Sequence, residues 1–403
     1  GVIGNENHNY IYGKVLSPWS PERTPGGSSG GEAVLVASGC TPLGFATDAA
    51  GSVRTPALFC GLYAMMISPH RTTLEGAFGL GINSRGLEIG AVGPIARSTR
   101  DLVRVVSGLV NNKDVPIEDN TVLAKPWNVS EFNVTRKLRI GVLSEDKYFT
   151  WTAPQHRVLG MAVNALRSKG HEIIDFGYKN WGDVVRSFMI IAGNTIRDRL
   201  HMFEPNYNDG ESKLVCRSNK VPTCLINIVR KLVGCMGKKY IRPSEALRIA
   251  VRLDEEGILK QIERHRDLMS SVDNHFASNN IDALLVPGLN VAYRHLTSQN
   301  LSATHSSHIF ANAANLCAGV MPIDLSREDE TTHSDEYDDM FSKHLDKNMR
   351  GGAGLPLGVQ ICARNGHDEV CLRVMQEIED VVGFKRIVKE GIRQCSGEGG
   401  LGY

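Results

Sequence analysis

The sequence has 403 residues, of which 42% are hydrophobic and 22% charged, so it is long enough to bury a large core. Its net charge of +1 excludes a global electrostatic field that would recruit nucleic acid or acidic substrates. No run of about eighteen apolar residues occurs, so the sequence predicts no transmembrane helix.

The cysteines and the N-terminal residues bear on localisation. The nine cysteines are scattered, with no CxxC pair and no zinc-finger spacing. Their odd number and apolar surroundings are typical of buried thiols in a reducing compartment. We therefore expect an intracellular protein, either cytoplasmic or peripheral on an internal membrane. The opening GVIGNENHNY has neither a signal-peptide pattern nor an initiator Met, and we expect the natural chain to begin upstream.

The first third of the chain is rich in turn residues. Residues 1–31 contain several prolines and a Gly/Ser cluster, which predict a loop. The apolar segment 32–39 predicts a buried helix. Residues 40–62 are again Gly-rich and predict tight turns.

The remainder alternates short apolar runs with amphipathic stretches. We predict, in chain order, a strand at 138–143, a helix at 154–169, a strand at 171–176, a long helical stretch at 243–277, a strand at 281–287, a surface loop and helix at 326–348 and a strand at 355–362. Strands alternating with helices predict an α/β fold. Because no low-complexity linker interrupts the chain, we expect residues 1–403 to form a single domain.

Residues 26–61, GGSSGGEAVLVASGCTPLGFATDAAGSVRTPALFCG, carry the chemistry. They place Ser28 and Ser29 in one Gly-rich loop and Ser52 in another. Glycines permit positive φ, and successive main-chain N–H groups in a tight turn can bind an anion. In acyl transfer that anion is the oxygen of the tetrahedral intermediate. A serine at such a turn can be the nucleophile if a base removes its proton.

Two motif interpretations compete for this segment. The sequence GSSGG at 27–31 matches the G-x-S-x-G nucleophile elbow, but that turn must follow a strand. The preceding PWSPERTPG contains three prolines and does not fit a central strand. The segment instead resembles the amidase signature family in GGSSGGE, TDAAGSVRTPA and FCGLY. The later segments IDALLVPGL, ANLCAGVMPIDLSREDE and GLPLGVQICARNGHDEVCLRVMQEIE also resemble this family, in particular the fatty acid amide hydrolases.

The resemblance implies a fold and a reaction. The fold is a large twisted mixed sheet covered by helices on both faces. The reaction is hydrolysis of an amide bond, here expected in a fatty acid amide, by a Ser–cis-Ser–Lys triad that needs no cofactor and no metal. Ser52 matches the nucleophile. Ser28 matches the serine that follows a cis peptide bond and relays the proton.

The resemblance also assigns positions around the two serines. The oxyanion hole is matched by the main-chain N–H groups of Ala49, Ala50, Gly51 and Ser52. Supporting positions are matched by Ser29 and Arg54, and a substrate-contacting carbonyl by Val2.

The sequence departs from the family at three places. The family's catalytic lysine lies upstream of the signature, where this chain has only Lys14, which we interpret as a solvated surface residue. We therefore expect the domain to be N-terminally incomplete and to lack the lysine-bearing segment, so that these residues alone have doubtful activity. Ala50 replaces a usual glycine, which is tolerable if its φ is negative. Met65 and Met66 replace a Gly-Leu-Lys-Pro-like run, which predicts a reshaped pocket.

Two other features were weighed as sites. His305 and His308 lie three residues apart, but no third ligand is near in sequence, so we predict a polar loop or helix face and no metal site. Residues 221–242 combine an apolar face with basic residues that include Arg230, Lys231, Lys238 and Lys239. That pattern fits either a helix lying on a membrane, as in fatty acid amide hydrolases, or an amphipathic core helix with a basic exposed side.

The expected partner is a small lipid amide, with peripheral membrane contact through 221–242, no nucleic acid, and a homodimer left open. Two alternatives to the hydrolase also stay open. One is a catalytically silent or truncated lipid-amide-binding relative, suggested by the absent lysine. The other is an amidotransferase-type amidase acting on glutaminyl groups.

Overall fold

The computed structural model describes residues 4–9, 11–75, 83, 84, 87, 88, 90–112, 114, 122, 123, 125–133, 135–143, 150–198, 221–249, 251–298 and 302–384. Val2 and residues 385–403 lie outside these residues.

A mixed eight-stranded sheet forms the centre of the molecule. Its strands are β3 Gly44–Asp48, β4 Tyr63–Met66, β7 Ala91–Ala96, β8 Arg139–Val142, β9 Glu172–Asp175, β10 Ala283–Pro287, β11 Cys317–Leu325 and β12 Pro356–Ala363. The order across the sheet is β3–β7–β4–β11–β12–β10–β8–β9. Strand β8 is parallel to β9 and β10, and the other neighbours are antiparallel. Two short hairpins lie outside the sheet, formed by β1 His8–Asn9 with β2 Gly13–Lys14 and by β5 Asn83–Ser84 with β6 Leu87–Glu88.

Burial along the strands shows that both faces of the sheet are covered at its centre. Every residue of β4, β10 and β12 is buried, as expected when helices cover both faces of a sheet. The edge strand β9 has no buried residue. The predicted α/β fold, with a mixed sheet flanked by helices, is therefore confirmed, as are the predicted strands near 138, 171, 281 and 355.

The described helices are α1 Gly30–Ala37, α2 Arg54–Phe59, α3 Thr99–Val110, α4 Val129–Phe132, α5 Ala153–Ser168, α6 Trp181–Asp198, α7 Thr223–Gly234, α8 Ile241–Ile249, α9 Glu255–Ser278, α10 Ser306–Ala313, α11 Met340–Met349 and α12 Asp368–Val382. None of these helices is both long enough and apolar enough to span a bilayer.

The long helical stretch predicted at 243–277 is wrong in one respect, because the structure has two helices there, α8 and α9. The side chain of Asp254 explains the break. Its Oδ1 accepts a hydrogen bond from the N–H of Gly257 at 2.8 Å, which begins a new helix at Glu255. An Asp at this position favours an N-cap over the interior of a helix.

A buried ion-pair network joins the loop after β4 to the first turn of α12. The guanidinium of Arg71 donates to Asp368 at 2.7 Å and to Glu369 at 2.6 Å. The side chains of all three residues are at most 2% exposed. The Asp368 carboxylate also accepts hydrogen bonds from the N–H and hydroxyl of Ser68. Removing Arg71 would thus leave two buried carboxylates without their cation.

We predict that Arg71→Leu lowers the free energy of unfolding by about 3–5 kcal/mol, because unpaired buried charges are costly. The matched control is Arg364→Leu, whose pair with Asp273 is 38% and 55% exposed; exposed pairs contribute less than about 1 kcal/mol. Urea unfolding followed by tryptophan fluorescence measures both. An equal loss of unfolding free energy in the two variants would contradict the conclusion that the buried network stabilises the fold.

Candidate active site

A fully buried ion pair brackets the turn that contains Ser52. Asp48 ends β3 and Arg54 begins α2, so the two residues stand on either side of residues 49–53. Arg54 Nε lies 2.9 Å from Asp48 Oδ2, and Nη2 lies 2.8 Å from Oδ1. Both side chains are 0% exposed. This two-point contact fixes the distance between the end of the strand and the start of the helix.

The Asp48 carboxylate also holds the backbone of the turn. It accepts hydrogen bonds from the N–H of Gly51 at 2.7 Å and of Val53 at 3.1 Å. Burial alone would raise the pKa of Asp48, but the charge of Arg54 and the hydrogen bonds from Arg54, Gly51 and Asn312 lower the pKa to about 2. Asp48 is therefore ionised at neutral pH.

The remaining donors of Arg54 tie the turn to distant parts of the fold. Its Nη1 lies 2.6 Å from Gln360 Oε1 on β12 and 2.9 Å from the carbonyl oxygen of His308 on α10. Its Nη2 lies 2.5 Å from Asn312 Oδ1, also on α10. The thioether of Met66 lies 3.5 Å from Arg54 Nη2 and 3.1 Å from Asn312 Nδ2. The side chain of Met66 therefore packs directly against this network.

Backbone conformation within the turn depends on Gly51. Its φ is 108°, a region that side chains disfavour. A Cβ at this position would lie 3.0 Å from both His308 Cβ and Thr55 Oγ1. Ala50 is not among the residues with positive φ, so the condition under which its extra methyl is tolerable is met.

The second Gly–Ser loop is fixed by the segment before it. Asn7 bonds to the carbonyl of Gly26 and accepts from the N–H of Gly30, so one side chain spans the loop. A Cβ on Gly27 would lie 2.1 Å from the carbonyl oxygen of Gly4, so only glycine allows this approach. The peptide bond between Gly27 and Ser28 is cis.

The two loops meet at a backbone hydrogen bond. The N–H of Ser29 donates to the carbonyl oxygen of Ser52 at 3.3 Å. Ser28, Ser29 and Ser52 are each half-buried. Among the described residues, no hydrogen bond engages the hydroxyl of Ser28 or Ser52. The structure thus brings the serine-bearing loops together and leaves both hydroxyls available.

The structure also shows the positions of the other residues that the sequence analysis considered: Arg54, Lys14, His305 and His308. Arg54 is a buried support of the turn and does not face solvent. Lys14 is exposed on β2, as predicted. His305 and His308, predicted on a polar loop or helix face, lie on consecutive helical segments, and both are buried, at 4% and 0% exposure. In the part of the chain that the structure describes, no three His, Cys, Asp or Glu residues are grouped to hold a metal ion.

Sequence reasoning missed Asp48, Asn312 and Gln360. The aspartate of TDAAGS precedes the turn at the spacing of a capping residue, a signal that could have singled it out. Asn312 and Gln360 lie 258 and 306 residues from Arg54, and the sequence carries no signal for their contacts with it.

The chain is similar to known proteins in sequence and in fold. The family described as Amidase matches residues 2–372. Fatty-acid amide hydrolase 1 of Sus scrofa is 29% identical over 387 residues, covering 92% of this chain and 64% of that protein. Fatty acid amide hydrolase 1 of Caenorhabditis elegans is 26% identical over 391 residues, covering 94% of this chain and 66% of the relative. The chain thus spans about two thirds of the length of these relatives.

Among solved structures, a fatty acid amide hydrolase superposes with a TM-score of 0.74 at 20% identity, covering 95% of this chain and 64% of that chain. At this identity the likeness shows the fold. The mixed sheet and its flanking helices are therefore a fold found in known proteins.

We predict that Asp48→Asn lowers the free energy of unfolding by about 3–5 kcal/mol, because it leaves Arg54 buried without its counter-charge. The folded pKa of about 2 lies below the unfolded value of roughly 3.9. The stabilisation is therefore complete above about pH 4 and is lost as the pH falls towards 2.

Melting temperatures measured from pH 2 to 7 test this prediction. The wild type should lose an extra increment of stability below about pH 4 that Asp48→Asn lacks. Asp273→Asn, at the exposed pair with Arg364, is the control and should follow the wild type. Parallel pH profiles for wild type and Asp48→Asn would contradict the role given to the carboxylate.

Proposed function

The chain belongs to the amidase family, and we propose that it is a serine hydrolase that cleaves amide bonds, fatty acid amides in particular. The observation that carries the proposal is the contact between the Ser29 N–H and the Ser52 carbonyl, which joins the two serine-bearing loops. The substrate class is proposed from the fatty acid amide hydrolases among the relatives.

In the proposed mechanism, Ser52 Oγ attacks the amide carbonyl carbon and forms the acyl–enzyme after the C–N bond breaks. The proton lost by Ser52 passes through the hydroxyl of Ser28 to the leaving amine. Water then cleaves the ester, returning Ser52 to its hydroxyl form and releasing the acid. Each half of the reaction forms one bond to the acyl carbon and breaks one.

The oxyanion of the tetrahedral intermediate requires N–H donors in the turn. The N–H of Gly51 is already bonded to Asp48, so we do not give it this role. Among the described residues, no hydrogen bond engages the N–H groups of Ala49, Ala50 and Ser52. We propose the oxyanion donors from these three groups, with Gly51 and Asp48 holding them in place.

The mechanism requires a general base that accepts the proton lost by Ser52. A lysine acts as a base at neutral pH only when burial lowers its pKa. None of the lysines in the described ranges is buried. The proposed base is therefore a lysine outside these ranges. A catalytically silent lipid-amide-binding relative is the alternative that this observation favours.

We also propose that α7 contacts a lipid surface through its apolar face. Leu225, Ile228 and Leu232 are 48%, 55% and 64% exposed. Such a row of large apolar side chains is unusual on a free surface and fits an interfacial helix. The basic residues contribute less than the sequence indicated, because Lys238 pairs with Glu336 and Lys239 with Asp338.

Full-length protein carrying Ser52→Ala should lose amide hydrolysis, by about 10⁴-fold or more, because the nucleophile is gone. Ser28→Ala should lose about 10²–10⁴-fold, because proton transfer is impaired. Ser38→Ala, at the half-buried end of α1, is the matched control and should keep full activity.

Ammonia or amine release from a long-chain primary amide and from a glutaminyl amide measures these losses. Activity on the glutaminyl amide alone would favour the amidotransferase-type alternative. A folded full-length protein without activity on either substrate would favour the silent relative.

For the lipid contact, Leu232→Asp should reduce co-sedimentation with phosphatidylcholine vesicles by about tenfold or more, because the burial of a leucine side chain, about 1.5–3 kcal/mol, is lost. Binding of the wild type should persist in 0.5 M salt (roughly a 4 Å screening length), since it is apolar in origin. Leu259→Asp, at a leucine 58% exposed on α9, is the control. Equal binding by both variants would contradict a contact through α7.

A further inference from the structure

His308 lies directly behind the turn that carries Ser52. It sits in the first turn of α10 and its side chain is fully buried. Its Nδ1 lies 3.0 Å from Thr55 Oγ1, and its carbonyl oxygen accepts a hydrogen bond from Arg54 Nη1 at 2.9 Å. Both the ring and the backbone of His308 are thus fixed by α2, the helix that follows the turn.

The imidazole and Thr55 together support Gly51. A Cβ on Gly51 would lie 3.1 Å from His308 Nδ1, so the ring closes the space behind this residue. The N–H of Thr55 donates to the carbonyl oxygen of Gly51 at 2.7 Å. Thr55 therefore bonds to the turn through its backbone and to His308 through its side chain. Displacement of the ring would release the rotamer of Thr55 and the packing behind Gly51.

The protonation state of His308 limits what it can do. Burial, then the positive charge of Arg54 and the neighbouring His305, holds the pKa of His308 well below its usual range, against the opposing effect of Asp48. The ring is therefore neutral at physiological pH. A neutral imidazole bonded to Thr55 acts as a structural contact and is too weak a base to deprotonate Ser52.

We propose that His308 is a positioning residue, which holds the oxyanion turn at 49–52 through Thr55 and through contact with Gly51. Its effect on catalysis rests on the proposed amidase function, whereas its effect on the turn does not. Neither Asp48 nor Arg54 substitutes for it, because Asp48 bonds the backbone N–H of Gly51 whereas the ring of His308 fills the space behind that residue.

Two pairs of variants of the full-length protein test this role. His308→Asn places an amide close to the position of Nδ1 and keeps a partner for Thr55, whereas His308→Leu keeps the bulk and loses the partner. Thr55→Ser keeps the hydroxyl, whereas Thr55→Val replaces it with a methyl group of similar shape. His265→Leu, which removes another fully buried histidine on α9, is the control.

Amide hydrogen exchange of peptides covering 48–56 gives a readout that is independent of activity. We expect exchange there to rise about tenfold in His308→Leu and Thr55→Val, beyond any change in peptides covering β12. The Asn and Ser variants should stay near the wild type, and His265→Leu should leave 48–56 unchanged. A uniform rise across the protein, or an equal rise in His308→Asn and His308→Leu, would overturn the proposal.

Amide hydrolysis supplies the second arm. The Leu and Val variants should lose about 100-fold in kcat with little change in KM, since a displaced oxyanion donor acts on the transition state. An inactive wild type would count against the proposed function only, because the exchange data still decide whether His308 holds the turn. Should His308→Leu not fold, Thr55→Val alone decides by the same exchange criterion.

Discussion

The ion pair between Asp48 and Arg54 is the constraint on which the rest of the candidate site depends. Both groups are fully buried, and each would be costly if left alone. Together they fix where β3 ends and α2 begins. The five residues between them must therefore form a compact turn. Asp48 takes the N–H groups of Gly51 and Val53, and Arg54 reaches α10 and β12. A local turn is in this way tied to strands and helices from the far end of the chain.

This arrangement separates the groups that hold the turn from those that remain available to a substrate. Carboxylate, guanidinium, amide and thioether groups are buried beneath the turn and satisfy one another. Ser28 and Ser52 are half-buried, and among the described residues no hydrogen bond engages their hydroxyls. Because the donors in the turn are already fixed in place, little free energy is needed to reorganise them during the reaction.

The serine loops could be predicted from the sequence because residues 26–61 contain both of them, and β8, β9, β10 and β12 could be predicted from short apolar runs. The prediction of tight turns throughout 40–62 is wrong, because β3 and α2 lie there between the glycines. The residues that support the turn could not be predicted in this way. Asn312 and Gln360 are ordinary polar residues until the fold places them beside Arg54. The sequence predicted His308 on a polar loop or helix face, and its burial behind Gly51 depends on the tertiary packing of α10 against α2. The pairing of Lys238 and Lys239 with Glu336 and Asp338 likewise depends on tertiary contacts between separate segments.

The identity of the nucleophile is tested most directly by covalent labelling of the folded full-length protein with a fluorophosphonate, followed by peptide mass spectrometry. The account predicts a single phosphonate adduct on Ser52, absent after heat denaturation. An adduct on Ser28 or on another residue, or no adduct in a protein shown to be folded, would contradict it.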